Sequence, residues 1–307
     1  MADPLSIAVI GSGVVGTATG AGFTAKGHRV VFCDVDPERV ALLKSRGFDA
    51  VHASALVDVR ASAYLISVPS PTVDERVDTS YVREAAVAVG RAIVSAKHRP
   101  VVVVRSTVPP GTTERIVIPA LELASGRRAG RDFGVCMNPE FLRAATAERD
   151  FLEPRVIVIG ALDEASAEAL RRLYTPWGDV PVHVMSLRTA EATKYVANLF
   201  NATKISFFNE MHRALRALSA EPESAFEAVA LGAEGMWNPR YGTRGGLPYG
   251  GICLPKDAVG FLGFARDHGL GHLLPMLRAT IHVNDEIAGL VWAEAEPELA
   301  RAEGRAH

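Results

Sequence analysis

The apolar run Leu5–Ile10 stops at Gly11-Ser12-Gly13-Val14-Val15-Gly16, and a helix rich in small residues follows to about Lys26. A second apolar run, Arg29–Cys33, ends at Asp34. Few folds accommodate this order. The first two glycines let the backbone leave a strand sharply and approach a ligand, and the third lets the helix pack against the strand. Free N–H groups at the helix start then suit a pyrophosphate, and an acid ending the next strand suits a ribose diol. Asp34 is followed by Val35 and Asp36 with no immediate arginine, which favours NAD over NADP. A Gly-rich turn that binds nothing is the competing reading, and the strand–turn–helix–strand–acid context disfavours it.

Strands and helices then alternate. Val- and Ile-rich runs at 63–67, 100–105, 133–137, 156–160 and 180–185 are predicted strands, separated by helical periodicity at 80–94, 112–124 and 163–174. This pattern predicts an α/β fold, a mostly parallel Rossmann-like doubly wound sheet covering 1–188. Three strand ends run into polar, proline-marked loops: Ser67-Val68-Pro69-Ser70-Pro71, Ser106-Thr107-Val108-Pro109-Pro110-Gly111 and Asn138-Pro139-Glu140-Phe141-Leu142-Arg143. Ligands of such sheets lie beyond the carboxyl ends of the strands, where these loops would gather.

From 189 to about 220 there is neither Pro nor Gly, so a long connecting helix is expected, opening an all-α dimerisation domain over 189–307. Leu199, Phe200, Ile205, Phe207, Phe208, Met211, Leu215 and Leu218 would leave much of that helix buried, in a core or at a subunit interface. A homodimer through this region is expected. Lys194 and Asn198 stand four residues apart on one helical face. They are either a buried cation and amide that stabilise an oxyanion, or a solvated lysine beside an ordinary asparagine.

The stretch Gly250-Gly251-Ile252-Cys253-Leu254-Pro255-Lys256-Asp257 places a thiol behind two glycines, with a cation and a carboxylate within a turn. As a thiolate, Cys253 would attack a carbonyl carbon. The bland alternative is a buried cysteine in a loop opening a helix near Lys256. His183, His212, His272 and His282 lack ligand spacing and read as structural; no metal site is expected. Three scattered cysteines among 307 residues make neither a disulfide framework nor a zinc site and fit a reducing, cytoplasmic setting. A net charge of −2 gives no basic surface for nucleic acid, the N-terminus lacks a signal-peptide pattern, and no segment reaches membrane-spanning length.

Together these stretches resemble the UDP-glucose/GDP-mannose dehydrogenase family from Ile7 to about Asn284, through six motifs in the family's order. They are Gly11–Gly16, Val68–Pro71, Ser106–Gly111, Asn138–Arg143, Lys194–Asn198 and Gly250–Asp257. The resemblance implies oxidation of a primary alcohol on a nucleotide sugar, or on a related nucleoside or sugar derivative, to a carboxylate. Two NAD molecules would be reduced in turn, through a Cys253 thiohemiacetal and thioester. Lys194 and Asn198 would stabilise the alkoxide and oxyanion, Asp257 would hold the base network, and Glu140 and Thr107 would serve hydrolysis. Gly11, Gly13, Val14, Val15, Gly16, Asp34, Arg39, Val68, Pro69, Ser70, Ser106, Thr107 and Lys256 match cofactor positions. Glu140, Phe141, Leu142, Lys194, Asn198, Tyr249, Gly250 and Gly251 match substrate positions.

Four departures from the family pattern stand out. Ala144-Ala145 replaces an acidic residue, Pro248 replaces a glycine, Ile252 replaces a small or polar neighbour of the thiol, and the chain ends where a third domain normally begins. They leave two alternatives: a two-electron dehydrogenase that stops at the aldehyde, and a non-catalytic NAD-binding partner of a full-length relative.

Overall fold

The computed structural model describes residues 4–303. The chain divides between Asn198 and Leu199 into two compact units, inside one helix and about ten residues beyond the expected boundary at 188/189.

In the first unit, β1 (Ser6–Ile10) leads through the glycine turn into α1 (Val14–Ala25), and β2 (Arg29–Asp34), α2 (Pro37–Ser45) and β3 (Asp49–His52) follow. The chain then returns to β4 (Ala63–Ile66), makes a small hairpin of β5 (Thr72–Val73) and β6 (Arg76–Val77), and enters α3 (Ser80–Ile93). Next come β7 (Val101–Val104), α4 (Ile118–Ser125), β8 (Gly134–Met137), α5 (Ala147–Leu152), β9 (Ile157–Ala161), α6 (Glu164–Leu173), β10 (Val182–Ser186) and the start of α7 (Leu187–Ala217). Eight strands form one sheet in the order β10-β9-β8-β7-β4-β1-β2-β3, parallel except between β8 and β9. β1 lies between β2 and β4, so the chain leaves to one side of it and returns to the other. That reversal opens a crevice at the carboxyl ends of β1 and β4, where the Gly11 turn and the Ser67 loop begin.

Period-two alternation decides which side chain faces which helix layer. In β7, Val102 and Val104 join α3 and α4 residues such as Val82, Val89 and Leu121, whereas Val101 and Val103 join Phe23, Phe151 and Leu170. All four are buried, as expected of a strand covered on both faces. Burying one such side chain contributes roughly 1.5–3 kcal/mol. At the far side of the second layer, Phe23 meets Phe151, Tyr174 and Trp177 at centroid separations of 5.1–5.5 Å.

Most expected elements appear within a residue or two; α2, α5 and the β5–β6 hairpin were not expected, and three further differences have local causes. β3 was not anticipated, because it is four residues long, lies at the sheet edge and is half exposed. The helix expected over 112–124 opens with a wider π turn at Thr113–Val117. Pro119 lies just beyond, with no N–H for the ordinary ladder. The helix expected from Lys256 begins at Cys253.

The second unit carries the rest of α7, then α8 (Pro222–Gly232), α9 (Glu234–Trp237), α10 (Cys253–Asp267) and α11 (Pro275–Glu303). Its core is small: Ala214, Leu262, Ala265 and Leu274, with Met211, Phe261, Leu277 and Ile281 against them. Buried Glu210 accepts hydrogen bonds from Met276 N–H (2.6 Å) and Leu277 N–H (3.0 Å), satisfying free donors at the start of α11. Of the two settings expected for α7, a core or a subunit interface, the core is not found within the single chain. Leu199, Phe200, Ile205 and Phe207 are exposed in the single chain, because only the Met211 and Ala214 side of the helix meets α10 and α11 residues. No helix among the described residues is long and apolar enough to cross a membrane.

Candidate active site

Gly11 leaves β1 with φ +88°, a left-handed conformation in which a Cβ would also stand 2.8 Å from the Ser67 carbonyl oxygen. At Gly16 a Cβ would stand 2.0 Å from the Gly11 carbonyl oxygen, so the turn closes only with glycine there. Gly16 is buried and is not among the residues that line the crevice, and its part in this structure is to let the loop close. A Cβ on Gly13 would meet nothing within 4 Å. Gly13 also precedes α1 without a side-chain cap, which leaves the first N–H groups open to an anion.

The crevice has a volume of about 740 Å³. Gly11, Gly13, Val14 and Val15 line it, as do Asp34 and Arg39. Across from them lie Val68, Pro69, Ser70, Ser106, Thr107 and Glu140. The Ser106 hydroxyl donates to the Val68 carbonyl and the Ser70 hydroxyl to the Thr107 carbonyl, each at 2.6 Å, so the two strand-end loops brace each other.

Asp34 is prepared for hydrogen-bond donors. Its Oδ2 accepts from Ser12 N–H at 2.6 Å and from the Ser12 hydroxyl, and its Oδ1 accepts from Asp36 N–H at 3.0 Å. Burial pushes the carboxyl up, but the Ser12 and Asp36 hydrogen bonds and the Arg39 charge outweigh it and hold Asp34 below the usual carboxylate range. Arg39 is itself anchored by donating to the Ser12 carbonyl at 3.1 Å. These groups fit NAD: an open helix start for its pyrophosphate and an ionised acid for a ribose diol.

At the Glu140 end stands a buried ion pair. Lys194 Nζ lies 2.8 Å from Glu140 Oε1, and both side chains are less than a tenth exposed. Glu140 Oε2 accepts from Leu142 N–H at 2.6 Å, and Lys194 lies 5.9 Å from the Phe141 ring centre. The solvated-lysine reading is therefore overturned. Asn198, one turn on, is exposed, so the two residues do not share one buried patch. Spacing alone missed Glu191, which is fully buried on the same helix. It accepts from Gly111 N–H and, at 2.7 Å each, from the N–H and hydroxyl of Thr113. It ties the turn preceding Lys194 to the loop that carries Thr107. Ser12, Tyr81, Glu84 and Arg105 also line the crevice and were not anticipated. Tyr81 and Glu84 gave no signal, since they read as an ordinary helix face.

The remaining predicted residues lie in the second unit. Cys253 is the first residue of α10 and is exposed, so the buried-cysteine reading does not hold. The other two thiols are buried, and burial, with Asp34 beside it, pushes Cys33 up to about 12. Burial pushes Cys136 up still further, assisted by Asp163. Neither suits a nucleophile. Lys256 and Asp257 are exposed and paired with each other. Tyr249 and Gly250 line an apolar cavity of about 960 Å³ with Leu254, and Tyr249 N–H donates to Asn284 at 2.7 Å. Gly251 is exposed with φ +79°. Among the described residues no group of three His, Cys, Asp or Glu side chains gathers as a metal site.

Comparison with known proteins agrees with this geometry. Residues 5–53 and 53–178 match the NAD binding domain of the UDP-glucose/GDP-mannose dehydrogenase family, and residues 188–286 match its central domain. The chain is similar to a UDP-glucose 6-dehydrogenase of Haloferax volcanii, 33% identical over 92% of this chain and 70% of the relative. It is also similar to a GDP-mannose 6-dehydrogenase of Pseudomonas putida, 34% identical over 82% of this chain and 62% of the relative. The chain therefore spans about two thirds of the length of these relatives. Among solved structures, a GDP-mannose dehydrogenase ternary complex from Pseudomonas aeruginosa superposes with TM-score 0.82 at 30% identity, covering 91% of this chain and 68% of that one. A UDP-glucose dehydrogenase from Pyrobaculum islandicum gives 0.69 at 36% identity, covering 97% and 72%. The glycine turn, the ionised acid at the end of β2 and these matches make the chain a member of the UDP-glucose/GDP-mannose dehydrogenase family of NAD-dependent dehydrogenases acting on CH–OH donors.

Proposed function

We propose that the chain oxidises the primary alcohol of a nucleotide sugar, or of a related nucleoside or sugar derivative, to a carboxylate through Cys253. The observation that carries this reading is the buried Lys194–Glu140 pair at the edge of the crevice that Gly11–Val15 and Asp34 line. Gly11, Gly13, Asp34, Arg39, Ser70 and Ser106 hold bound NAD, which supplies the hydride acceptor in each of two oxidations. Lys194 stabilises the alkoxide formed as the alcohol gives its proton to the water network held by Asp257, with Asn198 assisting. The Cys253 thiolate adds to the aldehyde carbon, and the oxygen takes a proton to give a thiohemiacetal. After the second oxidation the product is a thioester. Water, ordered by Thr107, Glu140 and Asp257, attacks its acyl carbon. The C–S bond breaks, and thiolate and carboxylate leave. Phe141, Leu142, Tyr249, Gly250 and Gly251 contact the substrate, and Lys256 the cofactor.

Counting NADH per alcohol consumed, over a panel of nucleotide sugars, nucleosides and sugar alcohols, tests the reading. Two NADH and one acid are expected. One feature favours a second reading: exposed Ala144 opens the turn after Arg143 and has only a methyl group where the family resemblance implies an acid. One NADH with accumulating aldehyde would select that reading. No turnover on any substrate, with NAD still bound, would select the non-catalytic partner.

The exposed Leu199, Phe200, Ile205 and Phe207 on α7 support a homodimer that covers them with the same face of a second copy. Light scattering at micromolar concentration should give twice the chain mass, and a monomer would refute the pairing.

A further inference from the structure

Arg105 follows β7 and is only 3% exposed, yet it has no carboxylate partner among the described residues. Its Nη1 donates to Asn138 Oδ1 and, at 3.0 Å, to the Tyr174 hydroxyl; its Nε has no acceptor among the described residues. The guanidinium carbon lies 5.4 Å from the Phe151 ring centre. Every one of these partners is neutral: burial pushes the Tyr174 phenol up, against the pull of Arg105, and keeps it protonated. A buried charge without a counter-charge is costly, and folded proteins ordinarily supply one from the chain or from a ligand.

Arg105 lines a cavity of about 350 Å³ that shares Arg105 and Glu140 with the glycine-turn crevice and is otherwise lined by different residues. The charges around this cavity are unbalanced. Glu140 is committed to Lys194, and Asp150 to Arg143 through a 2.6 Å contact. That leaves the guanidinium groups of Arg105, Arg149 and Arg155 against the single carboxylate of Glu153, a surplus of two positive charges. Arg149 and Arg155 are exposed and make no ion pair among the described residues. Planar guanidinium groups of this kind suit tetrahedral oxyanions. The volume lies at the low end for small-molecule pockets, enough for a phosphate and its waters.

We propose that this cavity is a second anion site, taking a phosphate-class dianion with Arg105 as its buried cation and Arg149 and Arg155 at its rim. Asn138 and Glu140 line the same cavity, so the bound anion sits behind the loop that presents Glu140 to the crevice.

Calorimetric titration of the full chain with inorganic phosphate, at constant ionic strength, tests the site. The proposal expects one saturable phosphate, unaffected by saturating NAD. The Arg149→Gln/Arg155→Gln double variant should weaken phosphate binding at least about tenfold, about 1.4 kcal/mol, and leave NAD affinity unchanged. The single Arg155→Glu variant places a like charge at the rim and should weaken it to a similar extent, which keeps the test decisive if the double variant misfolds. No saturable binding, binding equal in the variants, or binding lost when NAD is added would each overturn the proposal. The last result would place the phosphate in the glycine-turn crevice.

Discussion

Cys253→Ala should abolish acid formation, by roughly 10⁴-fold or more, while NAD binds within about twofold of the original affinity. The two expectations separate because the residues lie in different units. Every residue lining the glycine-turn crevice lies before Asn198, and Cys253 opens a helix after it. Stability should also hold. The thiol is exposed, so alanine leaves no cavity, and a surface change of this kind alters folding by no more than about 0.5 kcal/mol. Lost activity with unchanged melting is therefore a chemical result. Without the sulfur there is no thiohemiacetal, so any aldehyde formed in a first oxidation should accumulate or escape, detectable by hydrazine trapping. Acid output equal to that of the unmodified chain would end the thioester reading and leave the crevice and the Lys194–Glu140 pair to be explained by other chemistry.

The glycine turn and Asp34 were legible because each is a local backbone requirement: φ +88° at Gly11, a Cβ-free contact at Gly16, and an acid at a strand end. The Val-rich runs were legible because strands covered on both faces are continuously apolar. The edge strand Asp49–His52 was not, since four half-exposed residues carry no such run. Motif positions likewise pointed to Glu140 and Lys194 separately, but no spacing rule joins residues so far apart, and only folding shows them as an ion pair. Arg105 ends a predicted strand and belongs to none of the motifs. A charged residue directly after four buried valines was the available signal, and its lack of a counter-charge is a property of the packed structure alone. Spacing overstated the link between Lys194 and Asn198: a shared face is a direction from the helix axis, and burial changes within one turn along it.

Lys194→Ala should cost both activity and folding stability, and the two losses can be separated. The ammonium is 2.8 Å from Glu140 Oε1, and both groups are nearly sealed from water. Removing one partner of a buried pair leaves the other charge uncompensated, at a cost of about 3–5 kcal/mol. In a unit of this size that lowers Tm by roughly 10 °C. Leu142 N–H still serves Glu140 Oε2, which places the loss toward the lower end of that range. The Lys194→Met/Glu140→Leu double variant has no stranded charge and should regain most of the lost stability, because apolar replacement of a buried pair is often neutral or favourable. Turnover should fall by at least about 10²–10³-fold in the single variant and stay down in the double one, since neither has a cation to meet a developing alkoxide. A double variant that regains both Tm and turnover would reduce the pair to scaffolding; one that regains Tm alone assigns the pair to the chemistry.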